Sequence, residues 1–412
     1  MRVAIETLGT RGDVQPYVAL SLALMARGHD VQLAAPVQFQ EFVERHHIPF
    51  VALPGEFLTL LDKPEGKAAI AGGRGFSGGL KLLKHVRPLM MQLFDWEWQA
   101  VQSFAPDIIV YHPKSLVSPF MAGALGIPHV LASPVPGLTP TKAFPSPLLP
   151  FSPLGPFNRL SHILALNAVD LLFRGDLKAW RERVFGRFAD RPAPRAGTIY
   201  AYSPAILPKP GDWGPDILVS GNWFLDEPDW TPDPALARFL DDGPPPIYFG
   251  FGSMPGLNPE AVTGMILQAL QMTGKRGVLA SGGGAISTGL AKGRVFFLDS
   301  APHDQLFPHM DAVVHHGGAG TTAAGLRAGL ATQIIPFFGD QPFWGRRVAE
   351  LGAGPPPVER ASLSTETLAN ALTALDDPLL RRKAQSLSDA MKSDLGVEAT
   401  VDFLERRLAF AR

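Results

Sequence analysis

A short unit that recurs along the chain limits its possible folds more than any other feature. Residues 3–5 are apolar, residues 9–12 contain two glycines, a stretch of helical periodicity follows, and Gly28 precedes a second apolar run at residues 31–35. This order predicts a strand, a helix that ends at Gly28 and a second strand. The unit returns at residues 107–131. Repeated strand–helix–strand units predict a parallel, doubly wound sheet.

The second half of the chain restarts the same rhythm. Apolar runs occur at residues 217–220, 247–252, 276–280, 295–298, 312–315 and 333–336. A chain of 412 residues exceeds the usual domain size of about 100–200 residues, so two α/β domains facing each other across a cleft are expected. A proline-rich stretch places the boundary near residue 211. We predict an N-terminal domain over residues 1–210, a C-terminal domain over residues 211–395, and a final amphipathic helix over residues 396–412 that packs back on the first domain.

The composition argues against several classes of function. Because 37 Lys and Arg residues balance 38 Asp and Glu residues, the net charge of -1 gives no electrostatic case for a nucleic-acid partner. The absence of cysteine removes disulfides, thiolate catalysis and cysteine-ligated metals. The first residues are too polar for a secretion signal, and no apolar stretch approaches the roughly 18 residues of a spanning helix. A cytoplasmic protein, at most peripheral at a membrane, is expected.

The clearest functional signal follows the apolar run that ends at residue 314. The chain continues His315-His316-Gly317-Gly318-Ala319-Gly320-Thr321-Thr322 and then becomes helical. A strand, a glycine turn and a helix N-terminus form an anion site, because glycines admit close backbone approach and first-turn N–H groups are unpaired. A diphosphate is the predicted ligand, and His316 would add a hydrogen bond or a positive charge, although an isolated histidine here equally fits the end of a buried strand. The pattern lacks the P-loop and dinucleotide fingerprints.

Polar residues follow two further strands of the predicted C-terminal sheet. Asp340 and Gln341 come after the run that ends at residue 336, and together they offer the acceptors and donors that sugar hydroxyls need. Ligands of open α/β sheets bind outside the carboxyl ends of the strands, so this pair is expected beside the diphosphate. Asp340 alone would suit a helix N-cap. Ser253 could give its hydroxyl to the same anion, although a serine there is more often a turn residue.

Asp13 follows the first predicted strand, at the carboxyl edge of the N-terminal sheet, where it would face the second domain across the cleft. Taken alone, an aspartate at a helix start indicates an N-cap. The sequence contains no Asp-x-Asp pair and no spaced histidine cluster, so neither a bridging metal nor another cofactor is predicted. The helix N-terminus and His316 would instead stabilise the charge of the predicted diphosphate.

These motifs together resemble the inverting UDP-glycosyltransferases of the GT-B fold. Residues 315–354 and residues 9–16 resemble in particular the sterol 3-beta-glucosyltransferase branch, and the second segment is shared with glycopeptide-antibiotic glycosyltransferases. The resemblance covers both predicted domains in the expected order. It implies two Rossmann-like domains and transfer of glucose from UDP-glucose to the hydroxyl of a lipophilic acceptor such as a sterol.

The resemblance also implies roles for individual residues. Asp13 would deprotonate the acceptor; a free aspartate has a pKa of about 3.9, so the proton must move late in the reaction. Plant members stack the base on a Trp and bind ribose with a Glu, where this chain has Ser300 and Ala324, so the Ala301 backbone and the His303 side chain are predicted instead. The complete predicted donor site is Gly12, Ser253, Ala301, His303, His316, Gly318, Ala319, Gly320, Thr321, Asp340 and Gln341.

The acceptor pocket is predicted in the loops of the N-terminal domain. Residues 128–156 contain nine prolines among apolar side chains, and they form either an irregular loop packed on the core or the wall of an apolar pocket. We predict acceptor contacts from Phe144, Phe151 and Trp344. An apolar wall suits a fused-ring alcohol better than a sugar or peptide.

Several alternative functions stay open from the sequence. The enzyme could transfer a UDP- or dTDP-sugar to a macrolide, glycopeptide or terpenoid natural product. A nucleotide-sugar epimerase and a non-catalytic nucleotide-sugar-binding protein share the expected architecture. No protein or nucleic-acid partner is predicted.

Overall fold

The computed structural model describes residues 1–55, 76–149, 153–186, 192–252, 258–282, 284–288 and 293–411. Two parallel sheets organise these residues, as the repeated strand–helix unit predicts. The first sheet has the order β3-β2-β1-β4-β5-β6-β7 and the second has the order β10-β9-β8-β11-β12. All strand pairs in both sheets are parallel.

The strands are β1 (Arg2–Glu6), β2 (Asp30–Pro36), β3 (Phe50–Leu53), β4 (Ile108–Tyr111), β5 (His129–Ser133), β6 (Arg195–Tyr200), β7 (Ile217–Val219), β8 (Ile247–Gly250), β9 (Gly277–Ala280), β10 (Val295–Leu298), β11 (Ala312–His315) and β12 (Ala331–Ile334). The α-helices are α1 (Arg11–Ala26), α2 (Gln40–Glu44), α3 (Phe76–Phe104), α4 (Ser118–Leu125), α5 (Asn158–Phe185), α6 (Pro234–Asp241), α7 (Pro259–Thr273), α8 (His303–Leu306), α9 (Ala319–Arg327), α10 (Gln341–Glu350), α11 (Thr365–Ala374), α12 (Pro378–Met391) and α13 (Val397–Ala411).

In each sheet the direction in which successive strands are added reverses once, and these two points locate the site. In the first sheet the chain winds outward from β1 in one direction through β2 and in the other through β4. In the second sheet the corresponding neighbours are β8 and β11. Crevices at the carboxyl ends of such neighbouring strands are where doubly wound sheets bind ligands. The fold therefore offers one crevice between β1 and β4 and another between β8 and β11.

The strand at residues 217–219 belongs to the first sheet. β7 pairs with β6, with Ile217 opposite Thr198, so the prediction that this run opens the C-terminal domain was wrong. The reason is physical, because a three-residue apolar run contains no local information about which sheet it joins. Trp223 also lies in the first domain, where its ring meets Tyr17 edge-on at 5.5 Å. We propose that the domain boundary lies after Trp223 instead of near residue 211.

The last helix, α13, returns to the first domain. Arg27, at the end of α1, forms ion pairs with Asp402 at 3.1 Å and with Glu405 at 2.7 Å. The indole Nε1 of Trp223 donates a hydrogen bond to Thr400 Oγ1 at 3.0 Å. α13 thus packs against α1 and the segment that links the domains, although it follows the second domain in the chain.

Candidate active site

Asp13 lies at the crevice between β1 and β4 and is bound from several sides. Its Oδ2 accepts a hydrogen bond from the Thr10 backbone N–H at 2.7 Å, which completes a capping box at the start of α1. The same oxygen lies 2.9 Å from Lys114 Nζ, and Oδ1 lies 3.3 Å from His112 Nε2. The alternative interpretation as a cap is therefore correct in part, since Asp13 occupies the third helical position and not the N-cap.

The surroundings of Asp13 favour its ionised form. Burial alone would raise the pKa of this carboxyl group, but the charge of Lys114 and the hydrogen bond and charge of His112 outweigh it. The pKa of Asp13 is consequently held well below its usual range. The side chain is 18% exposed, so one edge of the carboxylate remains open to the cleft. Asp13 is an ionised, oriented and only weakly basic group.

His112 and Lys114 are functional candidates that the sequence analysis missed. They follow β4, which neighbours β1, so the sheet order brings them to the same edge as Asp13. The backbone N–H of Lys114 donates to His112 Nδ1 at 3.2 Å, which leaves the proton of the neutral ring on Nε2, facing Asp13. Burial lowers the pKa of His112, although Asp13 opposes this effect. The order of strands in doubly wound sheets is the signal that could have identified both residues.

The second crevice contains the predicted anion site, between β11 and α9. Gly317 has φ +93°, and a Cβ there would lie 2.7 Å from Ile334 Cγ2, so only glycine fits. Gly318 is the N-cap of the nine-residue helix α9, whose first turn contributes the N–H groups of Ala319 and Gly320. The backbone thus takes the anion-binding form expected of a strand, a glycine turn and a helix N-terminus.

His316 stands at the opening of this turn. A Cβ on Gly318 would lie 2.7 Å from His316 Nε2, which places that ring nitrogen directly above the turn. His316 Nδ1 lies 3.5 Å from the Gly250 carbonyl oxygen and donates to it. Burial lowers the pKa of His316 to about 4. The ring is therefore neutral near pH 7, and its Nε2 needs a proton before it can donate to a phosphate oxygen.

Asp340 occupies the N-cap position of α10, but its side chain forms no capping hydrogen bond. Instead Oδ2 accepts a hydrogen bond from Trp344 Nε1 at 2.8 Å. Burial raises the pKa of Asp340 to about 6; the Trp344 hydrogen bond lowers it, the charge of Asp13 raises it, and that of Lys114 lowers it. The two aspartates therefore influence each other across the cleft.

Gln341 and Trp344, which belong to the helix after Asp340, both have structural roles. Gln341 Oε1 accepts the backbone N–H groups of Phe337 at 2.7 Å and Phe338 at 3.2 Å, so its carbonyl oxygen shapes the loop before α10. Trp344 is only 2% exposed and packs against Tyr202. Its ring thus lies in the interior and donates to Asp340, and the acceptor contact expected of Trp344 stays a prediction.

The region predicted to bind the nucleobase and ribose of the donor surrounds α8. His303 begins this helix, and its ring stacks on Phe307 with centroids 4.4 Å apart. Burial lowers the pKa of His303 to about 4, and the charge of Arg11 adds to this effect. Arg11, from the first turn of α1, also lies 3.6 Å from Glu227. A cation from the first domain, which the sequence analysis did not assign, therefore approaches the nucleotide side of the cleft.

Of the other two residues predicted to contact the acceptor, Phe144 is buried and Phe151 lies outside the described residues. Phe144 is 8% exposed, and its ring contacts Phe343 of the second domain with centroids 5.6 Å apart. Phe144 thus packs between the domains, as expected for a loop packed on the core, and its contact with the acceptor stays a prediction. Phe151 and the predicted donor residue Ser253 lie outside the described residues.

Neither a metal site nor a membrane-spanning helix is present among the described residues. No three His, Asp or Glu side chains among the described residues converge as metal ligands would. In the part of the chain that the structure covers, no helix combines the length and apolar character needed to cross a membrane.

Comparisons with known proteins agree with this geometry. Residues 3–145 match the glycosyltransferase family 28 N-terminal domain, and residues 288–404 match the C-terminal domain of erythromycin biosynthesis protein CIII-like. The calicheamicin glycosyltransferase CalG4 superposes with a TM-score of 0.72 over 99% of this chain and 98% of its own, at 17% identity. The spinosyn forosaminyltransferase SpnP superposes with a TM-score of 0.71 over 99% of each chain, at 17% identity. The predicted fold is confirmed, and the protein is a glycosyltransferase of the GT-B type.

Sequence relatives narrow this class. Two sterol 3-beta-glucosyltransferases of Arabidopsis thaliana are 35% and 36% identical over 99% and 100% of this chain, which spans 68% and 66% of their lengths. A sterol 3-beta-glucosyltransferase of Emericella nidulans is 33% identical over 100% of this chain, which spans 30% of that protein. The chain belongs to the sterol 3-beta-glucosyltransferase family.

Proposed function

We propose that the enzyme transfers glucose from UDP-glucose to the hydroxyl of a sterol, with inversion at the anomeric carbon. One observation supports this most strongly. The ionised Asp13 lies at the crevice of the first sheet, and Asp340 and the anion-binding turn lie at the crevice of the second. A donor sugar held by Asp340 would present its anomeric carbon between the diphosphate and Asp13. The sterol and the glucose donor follow from the named activity of the plant and fungal relatives.

The reaction is a single displacement. The acceptor oxygen forms a bond to the anomeric carbon, the bond from that carbon to the diphosphate oxygen breaks, and UDP leaves with the electron pair. The hydroxyl proton passes to Asp13 Oδ1 as the new bond forms. Because Asp13 is a weak base, the transfer occurs late, when the attacking oxygen has already become acidic. The arrangement of Asp13 opposite the donor supports inversion.

Fixed dipoles would stabilise the leaving group. The N-terminus of α9 directs unpaired N–H groups towards the diphosphate, and their positive potential opposes the developing charge. His316 would donate from Nε2 after taking up a proton, which the negative diphosphate favours. Donor binding and catalysis would thus require no divalent ion. We assign the ribose and base to the backbone near Ala301 and to the region around Arg11 and His303.

We also propose that the enzyme works in the cytoplasm and takes its acceptor at a membrane surface. Of the fifteen large apolar side chains that are exposed within the described residues, nine lie between residues 148 and 172. Most of them belong to the outer face of α5, including Leu164 at 54% and Leu171 at 72% exposure. The inner face of α5 supports the proline-rich loop, where His162 lies 3.0 Å from the Phe144 carbonyl oxygen. An apolar helix face beside the acceptor domain suits a lipid surface, where sterols are dissolved.

The decisive experiment is an acceptor and donor screen with the purified chain. The enzyme is incubated with UDP-glucose or dTDP-glucose and with sterols, macrolide aglycones, flavonoids or small polar alcohols. We expect a hexosyl-sterol product from UDP-glucose, and a β-anomeric coupling in its proton NMR spectrum. Glycosylation of a macrolide or terpenoid without any sterol product would favour a natural-product transferase. An altered sugar nucleotide without any acceptor product would favour an epimerase, and binding without reaction would favour a non-catalytic protein.

A further inference from the structure

Lys114 meets the Asp13 carboxylate from the side opposite His112. Its Nζ lies 2.9 Å from Oδ2, whereas His112 Nε2 approaches Oδ1 at 3.3 Å. Gly9 lies beneath the ion pair in the left-handed region at φ +131°, and a Cβ there would overlap the carboxylate and come within 2.5 Å of Lys114 Nζ. The turn after β1 is therefore shaped so that these two charged groups can meet.

The two neighbours of Asp13 contribute differently. His112 is almost completely buried and keeps a neutral ring whose position is fixed by the Lys114 backbone N–H. The Lys114 side chain is 49% exposed and brings a full positive charge to the cleft. Lys114 is therefore the neighbour that brings a charge from the exposed side, and that charge is the largest single effect that lowers the pKa of Asp13.

The groups that face Asp13 come from three elements. His112 and Lys114 belong to the loop after β4, Tyr17 follows one turn along α1, and Asp340 belongs to the second domain. Tyr17 stays neutral because burial raises its pKa well above the usual value, with a smaller contribution from Asp13. The charged groups of this set are therefore the carboxylates of Asp13 and Asp340 and the ammonium group of Lys114. The positive charge of Lys114 opposes the mutual repulsion of the two carboxylates.

We propose that Lys114 is a positioning residue that keeps Asp13 ionised and oriented opposite Asp340, so that both carboxylates work together in one cleft. This inference rests on the proposed function, since it assumes that Asp13 receives the proton of the acceptor. Lys114 acts through Asp13 and does not itself exchange a proton with the acceptor.

The experiment compares Lys114→Met, Lys114→Arg and the control Lys178→Met. Lys178 forms a surface ion pair with Glu182 at 3.8 Å on α5, so its replacement removes an exposed lysine without affecting the cleft. Each variant is assayed for kcat/KM with UDP-glucose and a sterol at pH 7.5, where Asp13 and Asp340 are both ionised. The Asp13 carboxyl group is also titrated by ¹³C NMR, with its signal assigned from Asp13→Asn. The titration needs no acceptor, so it tests this inference even if the proposed acceptor is wrong.

Loss of the Lys114 charge should raise the Asp13 titration midpoint by about one pH unit or more, since a nearby opposite charge lowers a carboxyl pKa by roughly 1–3 units. kcat/KM at pH 7.5 should fall in Lys114→Met, because the carboxylate of Asp13 is no longer held in place, and Lys114→Arg should restore both kcat/KM and the low midpoint. Lys178→Met should behave as the wild type, and all variants should unfold at similar temperatures. An Asp13 midpoint that is unchanged in Lys114→Met, or equal shifts in Lys114→Met and Lys114→Arg, would overturn the inference.

Discussion

Asp13 joins two functions at the scale of a single residue. Its Oδ2 closes the capping box of α1 with the Thr10 N–H, while Oδ1 faces His112 and the cleft. The local motif that fixes the first turn of the helix thereby fixes the direction of the proposed base. A capping residue and a base are usually regarded as competing interpretations of such an aspartate, and here one rotamer is compatible with both.

Replacement of Asp13 by asparagine should separate these functions. The amide oxygen can still accept the Thr10 N–H, but it cannot take a proton, so kcat should fall by about 100-fold or more. Affinity for UDP, measured by calorimetry, and the unfolding temperature should change little. Asp30→Asn, which alters an exposed carboxylate 3.4 Å from Arg2, is the matched control. Near-normal turnover of Asp13→Asn would leave this residue as a helix cap only.

Asp340 predicts a pH dependence of sugar binding. Its pKa of about 6 means that it is ionised above this pH and loses its charge as the pH falls through 6. An ionised carboxylate is the stronger acceptor for sugar hydroxyls, so affinity for UDP-glucose should fall between pH 7.5 and 5. UDP lacks the sugar and serves as the internal reference, which also removes the effect of His316 protonation.

The ratio of the two dissociation constants is the measurement. In the wild type, binding of UDP-glucose relative to UDP should weaken as the solution is acidified, and in Asp340→Asn the ratio should be independent of pH. His316→Ala should weaken both ligands at every pH. A ratio that is constant in the wild type, or one that still changes in Asp340→Asn, would contradict the assignment of Asp340 to the sugar.

At the scale of secondary-structure elements, α5 buries a largely polar inner face and exposes large apolar side chains on the outside of its first four turns. Its inner face holds the proline-rich loop, where Ser161 Oγ accepts the Ser146 backbone N–H at 2.7 Å. Its outer face exposes the apolar residues described above, while the C-terminal half has charged pairs such as Lys178 with Glu182. Clustered exposed apolar side chains are uncommon on a free surface, and α5 therefore predicts contact with a nonpolar phase.

Introducing negative charge on the outer face of α5 should weaken the binding of the protein to lipid. The double variant Leu164→Glu and Leu171→Glu should lower partitioning onto phosphatidylcholine vesicles about tenfold or more, because each buried leucine contributes roughly 1.5–3 kcal/mol. Flotation assays measure the bound fraction. Leu379→Glu alters a leucine of similar exposure in the second domain and should have no effect. Equal flotation of all variants would show that α5 does not contact lipid.

Local sequence patterns predicted most of the strands and helices, but not which strands lie side by side in a sheet. The runs at residues 295–298 and 312–315 form β10 and β11 with the predicted bounds, whereas β12 begins two residues before its predicted start. β7 was assigned to the wrong sheet, since strand pairing depends on tertiary contacts. The same limitation applies to the site. The glycine turn at Gly317 has a local signature, but Lys114 has none, because its function arises only when β4 lies beside β1.

Burial is the other property that single residues did not reveal. Phe144 and Trp344 are aromatic, lie near loops and fit an apolar pocket by composition, yet both lie in the interior. An aromatic side chain that covers the junction of two domains has the same sequence pattern as one that lines a ligand pocket. Gln341 has a comparable ambiguity, because its amide can bind a sugar or, as here, the backbone of its own loop.

At the scale of the whole molecule, the two crevices divide the reaction between the domains. The second domain contributes the anion-binding turn and Asp340, and the first contributes Asp13 with its charged neighbours. Under the proposed function, backbone N–H groups would supply the positive potential that a divalent ion provides in many enzymes of phosphate chemistry.

Chelation should therefore leave the activity in place. After dialysis against EDTA, glucosyl transfer should retain most of its rate, and added Mg²⁺ should raise it by less than about twofold. Elemental analysis of the dialysed protein is the accompanying control. Complete loss of activity that Mg²⁺ restores would indicate a metal requirement and would contradict the role assigned to the N-terminus of α9.

The return of α13 to the first domain has a consequence for recombining this enzyme with its relatives. A chimera with a single crossover after Trp223 would join one parent's acceptor domain to the other parent's final helix. It would then replace Asp402 and Glu405, which pair with Arg27. It could also remove the Thr400 hydroxyl, which accepts a hydrogen bond from the Trp223 indole. Exchange of donor specificity therefore needs two crossovers, the second before Val397, so that α13 is inherited together with α1.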